Sequence, residues 1–398
     1  MARLAGRLFQ VDRALARALT HGFHSYAGRM HPSSARMAIA TWSRPGQRVL
    51  DPYAGSGTVL VEAMAGGRQA VGVDMSPLAV LIARARSTVL GPVGRGQLVA
   101  VAQAMAAEAA ERARKRIRPL IPPWAKGEHR RFEPHIALEL LGLRELVMAT
   151  PEDEVGAALR ACFSSILAKF MRKAEWEDAP AAGASSRASA GKSRPQGGVA
   201  ASAVAARRIG RGIPSHFFAA RAEELALALV MLARVSPPGT PVPEIRLGDA
   251  RCLEGLREEE FDLVVTSPPY AGIYDYVEHH DASFLWLGLP RHGARAQVGA
   301  PGKEGGPART RWRADRKLWL GEVGRVAKPG ATVVVLVGDG VVGGEPEDAA
   351  AAVGELADEV GLRMLAGAAQ PRPPRTARLR AIFGDHPRQE HVLILRKS

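Results

Sequence analysis

Thr266-Ser267-Pro268-Pro269-Tyr270 sets a hydroxyl, two prolines and an aromatic ring in consecutive positions after the strand pattern Phe261 to Val265. Paired prolines stiffen the backbone and carry no N–H, so their carbonyls stand as rigid acceptors between the serine hydroxyl and the tyrosine face. That grouping suits a planar amine. A second run, Asp51-Pro52-Tyr53-Ala54-Gly55-Ser56-Gly57-Thr58, lies between a short apolar strand pattern and a helical one. Its glycines permit a tight strand-to-helix turn in which backbone amides approach a ligand and the helix N-terminus lies beneath it. No lysine follows, as one would in a nucleotide-phosphate loop. Asp74 ends the next strand pattern about twenty residues on, where a carboxylate can accept hydrogen bonds from ribose hydroxyls. A plain turn needs no such partner, so turn and acid together imply an adenosine-type cofactor.

These residues need a framework, and the pattern supplies one in two blocks. Arg48 to Asp51 reads as a strand, Thr58 to Ala65 as a helix, Gln69 to Asp74 as a strand, and Ser76 to Arg86 as a helix capped by Ser76 with Pro77 at its first position. Further on, Glu244 to Leu247 and Phe261 to Thr266 read as strands, Trp312 to Ala327 as a helix and Ala331 to Val337 as a buried strand. Ala349 to Val360 supplies another helix and His391 to Arg396 a last strand. Apolar strands alternating with amphipathic helices predict a mainly parallel sheet covered on both faces.

Between the blocks, residues 91–242 switch to Ala-, Leu- and Arg-rich helices, Gln97 to Ile117, Pro134 to Met148, Glu152 to Met171 and Ser215 to Arg234. This insertion holds 22 Lys and Arg against 14 Asp and Glu, an excess of +8 within a whole-chain net charge of +14. Such a balance favours a polyanionic partner. Residues 179–201, rich in Ser, Ala, Gly and Pro, predict a flexible loop. The two cysteines, Cys162 and Cys252, stand far apart and outside any Cys/His ligand pattern, so neither a disulfide framework nor a metal site is expected. No apolar run nears the roughly twenty residues of a spanning helix. Met1 to Leu19 lacks the h-region of a signal peptide and reads as a surface helix. The expectation is a soluble, cytoplasmic protein.

DPYAGSGT resembles motif I of the class I methyltransferases, Gly72-Val73-Asp74-Met75-Ser76-Pro77 resembles their ribose-binding motif, and TSPPY resembles motif IV of the amino-methyltransferases. Together they resemble the DNA N4-cytosine/N6-adenine methyltransferase family, over roughly residues 20–90 and 243–340; the serine of motif IV is more like its cytosine-N4 members. The resemblance implies a Rossmann-like α/β fold with a mainly parallel seven-stranded sheet, split between residues 20–90 and 243–398. The helical segment 91–242 becomes the candidate reader of the target. The implied cofactor is S-adenosyl-L-methionine and the implied partner DNA, with RNA-base amino methylation and adenine-N6 DNA methylation as alternatives.

Carried over, the resemblance puts Gly55 and Gly57 beneath the methionine moiety, with Asp51, Tyr53, Ala54 and Thr58 shaping its loop. Asp74 would hold the ribose, with Met75 beside it. Asp249, followed by Ala250, would face the adenine amino group or be an ordinary turn aspartate. Tyr26 to Pro32 resembles the segment that closes over the methionine carboxylate. Ser267, Pro268, Pro269 and Tyr270 form the catalytic group, with Tyr270 stacking on a base flipped out of its duplex. Of the segment Tyr274 to His280, the histidine pair reads as helix surface or base contact, since consecutive histidines on a helix diverge by about 100°. Arg291 to Arg316 reads as a charged loop, either solvated or phosphate-contacting.

Overall fold

The computed structural model describes residues 1–172, 210–291, 306–374, 376–384 and 387–398. The loop expected at 179–201 and most of Arg291 to Arg316 fall outside them. The chain opens with helices α1 (Ala2–Arg7) and α2 (Pro32–Trp42), then runs β1 (Arg48–Asp51), α3 (Thr58–Ala65), β2 (Gln69–Asp74) and α4 (Pro77–Ser87). The Ser76 hydroxyl accepts from Ala79 N, capping α4 as the sequence predicts. Four helices follow, α5 (Pro92–Arg114), α6 (Pro134–Met148), α7 (Glu154–Phe170) and α8 (Ile213–Val235). The chain returns through β3 (Glu244–Leu247), β4 (Phe261–Thr266), α9 (Tyr276–His279), α10 (Asp281–Leu287), α11 (Gly306–Val326) and β5 (Ala327–Gly338). It closes with β6 (Gly340–Val342), β7 (Glu345–Glu347), α12 (Ala349–Ala357), β8 (Leu362–Pro371), α13 (Ala377–Phe383) and β9 (Gln389–Lys397).

Among the described residues the main sheet has seven strands in the order β3-β2-β1-β4-β5-β9-β8. The first five are parallel, and β9 runs antiparallel to both β5 and β8. This is a Rossmann-like α/β sheet. Successive residues of a strand point to opposite faces, so the apolar strands feed two cores. Val49, Leu263, Val265, Val334, Leu336, Val392 and Ile394 pack with α1, α2 and α3 on one side. Leu50, Val264, Val333, Val335, Val337 and Leu395 pack with α11 and α12 on the other. A third core is helical: Leu78 and Ile82 of α4 share it with Leu98 of α5, Leu140 of α6, Phe163 of α7, Phe218 of α8 and Trp286 of α10. The helices of 91–242 are thus joined to the sheet through α4 and α10. None of the described helices is long and apolar enough to cross a membrane.

Two expectations are corrected. Met1 to Leu19 is not one surface helix: α1 stops at Arg7, and Ala5 and Leu8 are buried against the β8–β9 side of the sheet. Asp12 breaks the pattern, its carboxylate accepting from Ala14 N in a local turn. The described end of Arg291 to Arg316 is not loop but the first turns of α11, which begins at Gly306.

Candidate active site

At the carboxyl end of β1 the chain turns through Pro52 to Gly57 into α3. Ala54 N donates to Val73 O (3.0 Å), Gly57 N to Ala54 O (2.8 Å) and Gly55 N to Asp74 Oδ2 (2.8 Å). Gly55 has φ +50° and Gly57 φ +81°, the left-handed region where a side chain is strained. A Cβ on Gly57 would also lie 3.0 Å from that of Ala83. Gly57 therefore lets α3 meet α4 and does not face the ligand space.

Asp74 closes the turn by accepting from Ser76 N (2.8 Å) as well as Gly55 N. Burial pushes its carboxyl up to about 6. Asp51, 4% exposed, accepts from Tyr53 N (3.1 Å) and from the Thr266 hydroxyl (2.8 Å), and burial pushes it up to about 7. The Thr266 bond matters most for architecture: it crosses from β4 to β1 and ties the proline corner directly to the glycine turn. Nothing in the local spelling of either motif signals it.

Both corners open into one cavity. Asp51, Tyr53, Ala54, Gly55, Thr58 and Asp74 line it from the glycine turn, and Met75, Asp249 and Ala250 from the neighbouring strand ends. Ser267 and Pro269 line it from the proline corner, while Pro268 and Tyr270, alternating with them, are buried. Tyr26 to Met30 forms a further wall.

Tyr270 is thus placed differently from expectation. Its hydroxyl donates to Glu390 Oε1 (2.9 Å), Arg388 lies over its ring (5.7 Å), and a Cβ on Gly338 would collide with the ring at 2.6 Å. In this conformation the ring is a packing element beneath the corner and offers no face to a base. His280 is also corrected: it is buried, not helix surface, and stacks on Tyr26 (4.6 Å between centroids, 14° between planes) behind the cavity wall. Burial pushes its imidazole down to about 4, so it is neutral at physiological pH.

The polar groups of the cavity fit the cofactor that the motifs imply. The Thr58 hydroxyl and the Tyr53 hydroxyl are buried without a hydrogen-bond partner among the described residues, a cost that a ligand relieves. Arg29 donates to His21 O and has no acidic partner among the described residues; burial lowers its pKa. A guanidinium and two acids around one cavity match an amino acid zwitterion and a ribose diol. Asp249 is more occupied: its oxygens accept from Arg251 N (2.9 Å) and from the Arg251 guanidinium (2.6 to 3.1 Å), and Arg251 also donates to Asp315 (2.8 Å). Burial pushes the Asp249 carboxyl up, but the Arg251 bonds outweigh it and hold it below the usual range. The turn aspartate and the cavity residue are one and the same.

One supporting residue escaped the sequence reading. Arg86, fully buried in the last turn of α4, donates to Ser56 O, to the Ser56 hydroxyl (2.8 Å), to Thr20 O (3.1 Å) and to His21 Nδ1 (2.7 Å). Burial pushes its guanidinium down to about 9. It holds the glycine turn from below. A signal existed, since Arg86 falls on the apolar face of α4 with Leu78 and Ile82.

Metal-ligating types meet once among the described residues, at Asp339, Asp348 and His391. There His391 shares a 2.7 Å hydrogen bond with Asp339, and Asp348 caps α12.

A family model described as DNA methylase matches residues 20–85. Type II methyltransferase M.MjaII of Methanocaldococcus jannaschii is 36% identical over 66 residues, 17% of this chain and 12% of that protein. Type II methyltransferase M.MvaI of Kocuria varians is 35% identical over 77 residues, 19% of this chain and 17% of that protein. The matched stretch thus spans under a fifth of these relatives. Among solved structures, the rRNA methyltransferase aviRa of Streptomyces viridochromogenes aligns with TM-score 0.37 and 12% identity over 100% of this chain and 97% of that one. The stretch that matches the DNA methylase model carries the glycine turn and sits on a Rossmann-like α/β fold.

Proposed function

We propose that the protein methylates an exocyclic amino nitrogen of a DNA base, cytosine N4 in particular. The observation that carries this is the shared cavity, in which Ser267 and Pro269 face the Asp51, Gly55 and Asp74 wall. S-adenosylmethionine, when bound, supplies an electrophilic methyl group on a sulfonium sulfur. The Asp74 carboxylate holds the ribose, Asp51 the amino group and Arg29 the carboxylate of its amino acid end, with the Thr58 hydroxyl completing that pocket.

An exocyclic amine is a poor nucleophile because its lone pair is delocalised into the ring. The Ser267 hydroxyl and the Pro268 carbonyl accept its two hydrogens and turn the nitrogen towards a tetrahedral shape with its lone pair directed into the cavity. Position and electrostatics then supply the catalysis. Tyr270 acts beneath the corner, fixing its shape through Glu390. The base must leave the duplex to enter, at a cost of a few kcal/mol. The basic helices of 91–242 read the target, with phosphate contacts setting register and base contacts setting choice. Serine at the head of the corner supports cytosine over adenine.

The test is to offer purified protein labelled methyl donor with DNA or RNA and to identify the product by nucleoside mass spectrometry. N4-methylcytosine in DNA is expected. N6-methyladenine would correct the base, and label in RNA alone would overturn the DNA assignment.

A further inference from the structure

Residues 372–388, the connection between β8 and β9, hold five arginines against one aspartate. The pairings Gly338 with Glu390 and Pro371 with Gln389 place this connection at the edge of the sheet where the parallel strands end and the cavity opens. Within it α13 docks Leu379 and Phe383 on Val341 of β6 and against Ile273. Val341 N in turn donates to Ala271 O (2.7 Å), and a Cβ on Gly272 would meet Val341 O at 2.5 Å. The base of the arm is fastened to the same corner, because Arg372 and Tyr270 both donate to Glu390. Helix α13 is therefore seated against the residues that immediately follow Ser267 to Tyr270.

Its charge is unspent. Arg378 and Arg380 are exposed, flank the buried Leu379 about 100° to either side, and make no ion pair among the described residues. The contrast is α11, where Arg309 pairs with Glu345, Arg313 and Lys317 with Glu359, and Arg316 with Glu347. Among the described residues of Arg291 to Arg316, Arg291, Arg309, Arg313 and Arg316 are thus paired within the fold, while Arg378 and Arg380 of α13 are not.

We propose that α13 forms a phosphate-contacting arm that seats the backbone of duplex DNA beside the cavity, with Arg378 and Arg380 as contacts. This rests on the DNA reading above. A partner with dense fixed negative charge complements a helix that holds cations at the rim and has no acid of its own.

The experiment measures binding of a labelled DNA duplex to the full-length protein by fluorescence anisotropy across a salt series, with cofactor binding followed in parallel. Each phosphate contact contributes about 0.9 to the slope of log affinity against log salt, so Arg378→Glu/Arg380→Glu should lower the slope by roughly 1.8 and weaken binding about tenfold near 0.15 M salt. Cofactor affinity should not change, which shows the variant folded. Arg44→Glu/Arg257→Glu makes the same charge change beside the starts of β1 and β4, at the far end of the strands, and should keep the wild-type slope. An unchanged slope in the arm variant, or an equal fall in both variants, overturns the arm. If the first occurs while wild-type protein still labels DNA, the function stands without the arm; wild-type protein that labels no DNA removes both.

Discussion

The glycine turn and the proline corner meet in one cavity but are built in opposite ways. Residues 51–86 supply nearly everything that holds the glycine turn: the Asp74 carboxylate, the Ser76 cap, and Arg86 beneath Ser56. The proline corner depends on residues far along the chain, with Glu390, 120 positions on, and Arg388 under Tyr270 and Val341 against Ala271 and Gly272. A cofactor shared by many enzymes can be bound by a local cassette. A target specific to one enzyme is met by a surface assembled from distant segments, which can change without disturbing that cassette.

The sharpest way to separate the two is to remove chemistry from one while leaving the other whole. Ser267→Ala should lower kcat for methyl transfer roughly a hundredfold with cofactor affinity unchanged, read by single-turnover labelling and by calorimetric titration. Equal loss of cofactor affinity would mean that the corner also serves the cassette. Arg86→Met attacks the cassette from below. It strands Ser56 O, the Ser56 hydroxyl, Thr20 O and His21 Nδ1 in the interior, and each buried group left without its partner costs about 1 to 3 kcal/mol. A stability loss of about 3 kcal/mol in urea unfolding is expected, with weaker cofactor binding in the protein that remains folded. Retained stability with cofactor affinity intact would show that the glycine turn holds itself.

A third test uses pH. Burial raises Asp51 from an ordinary value of 3.8 to about 7. With the folded value above the unfolded one, the folded chain binds the extra proton, so this group costs stability progressively as pH rises from about 4 to about 7. An ammonium group beside Asp51 favours the charged carboxylate and reverses the shift. Cofactor binding should therefore release a proton, and affinity should fall towards tenfold per pH unit on going below about 7. Asp51→Asn should bind weakly and without that dependence. A wild-type affinity flat from pH 5.5 to 7.5 would place the amine elsewhere.

Legibility in the sequence follows the same division. β1, α3, β2 and β4 lie where the pattern puts them, because their strands are short apolar runs buried in the parallel sheet, and α4 carries a serine and proline at its start; β3, at the sheet edge, buries only Ile245. Strand β8 was invisible: LRMLAGAAQP is a half-exposed edge strand of small residues that neither alternates cleanly nor forms an apolar block. Helix α13 and the β6–β7 hairpin were missed because each is short and stabilised by docking on the other. At the site, residue types and spacing brought Asp51, Gly55, Asp74 and Ser267 together. They could not show which way a side chain turns. Pro268 and Tyr270 face inward because a corner two residues past the strand still alternates, and Thr266 reaches Asp51 only through the β1–β4 register.

Tyr270 is where the comparison can be broken with the least perturbation. If the ring serves as a packing element under the corner, its hydroxyl is one of several donors on Glu390, which also accepts from Arg372 and from Gln370. Tyr270→Phe then removes one hydrogen bond while two partners remain, a loss of about 1 kcal/mol in stability and at most a severalfold fall in kcat with the KM for DNA unchanged. Tyr270→Ala instead empties the space against Gly338 and Arg388 and should cost about 3 to 5 kcal/mol. A ring that stacked on the base would behave otherwise. Phenylalanine would keep full activity, whereas Tyr270→Leu, which preserves bulk but not the aromatic face, would raise the KM for DNA strongly. That outcome would mean the corner opens on binding and turns Tyr270 outward, so that the substrate half of the cavity takes its working shape only on the target.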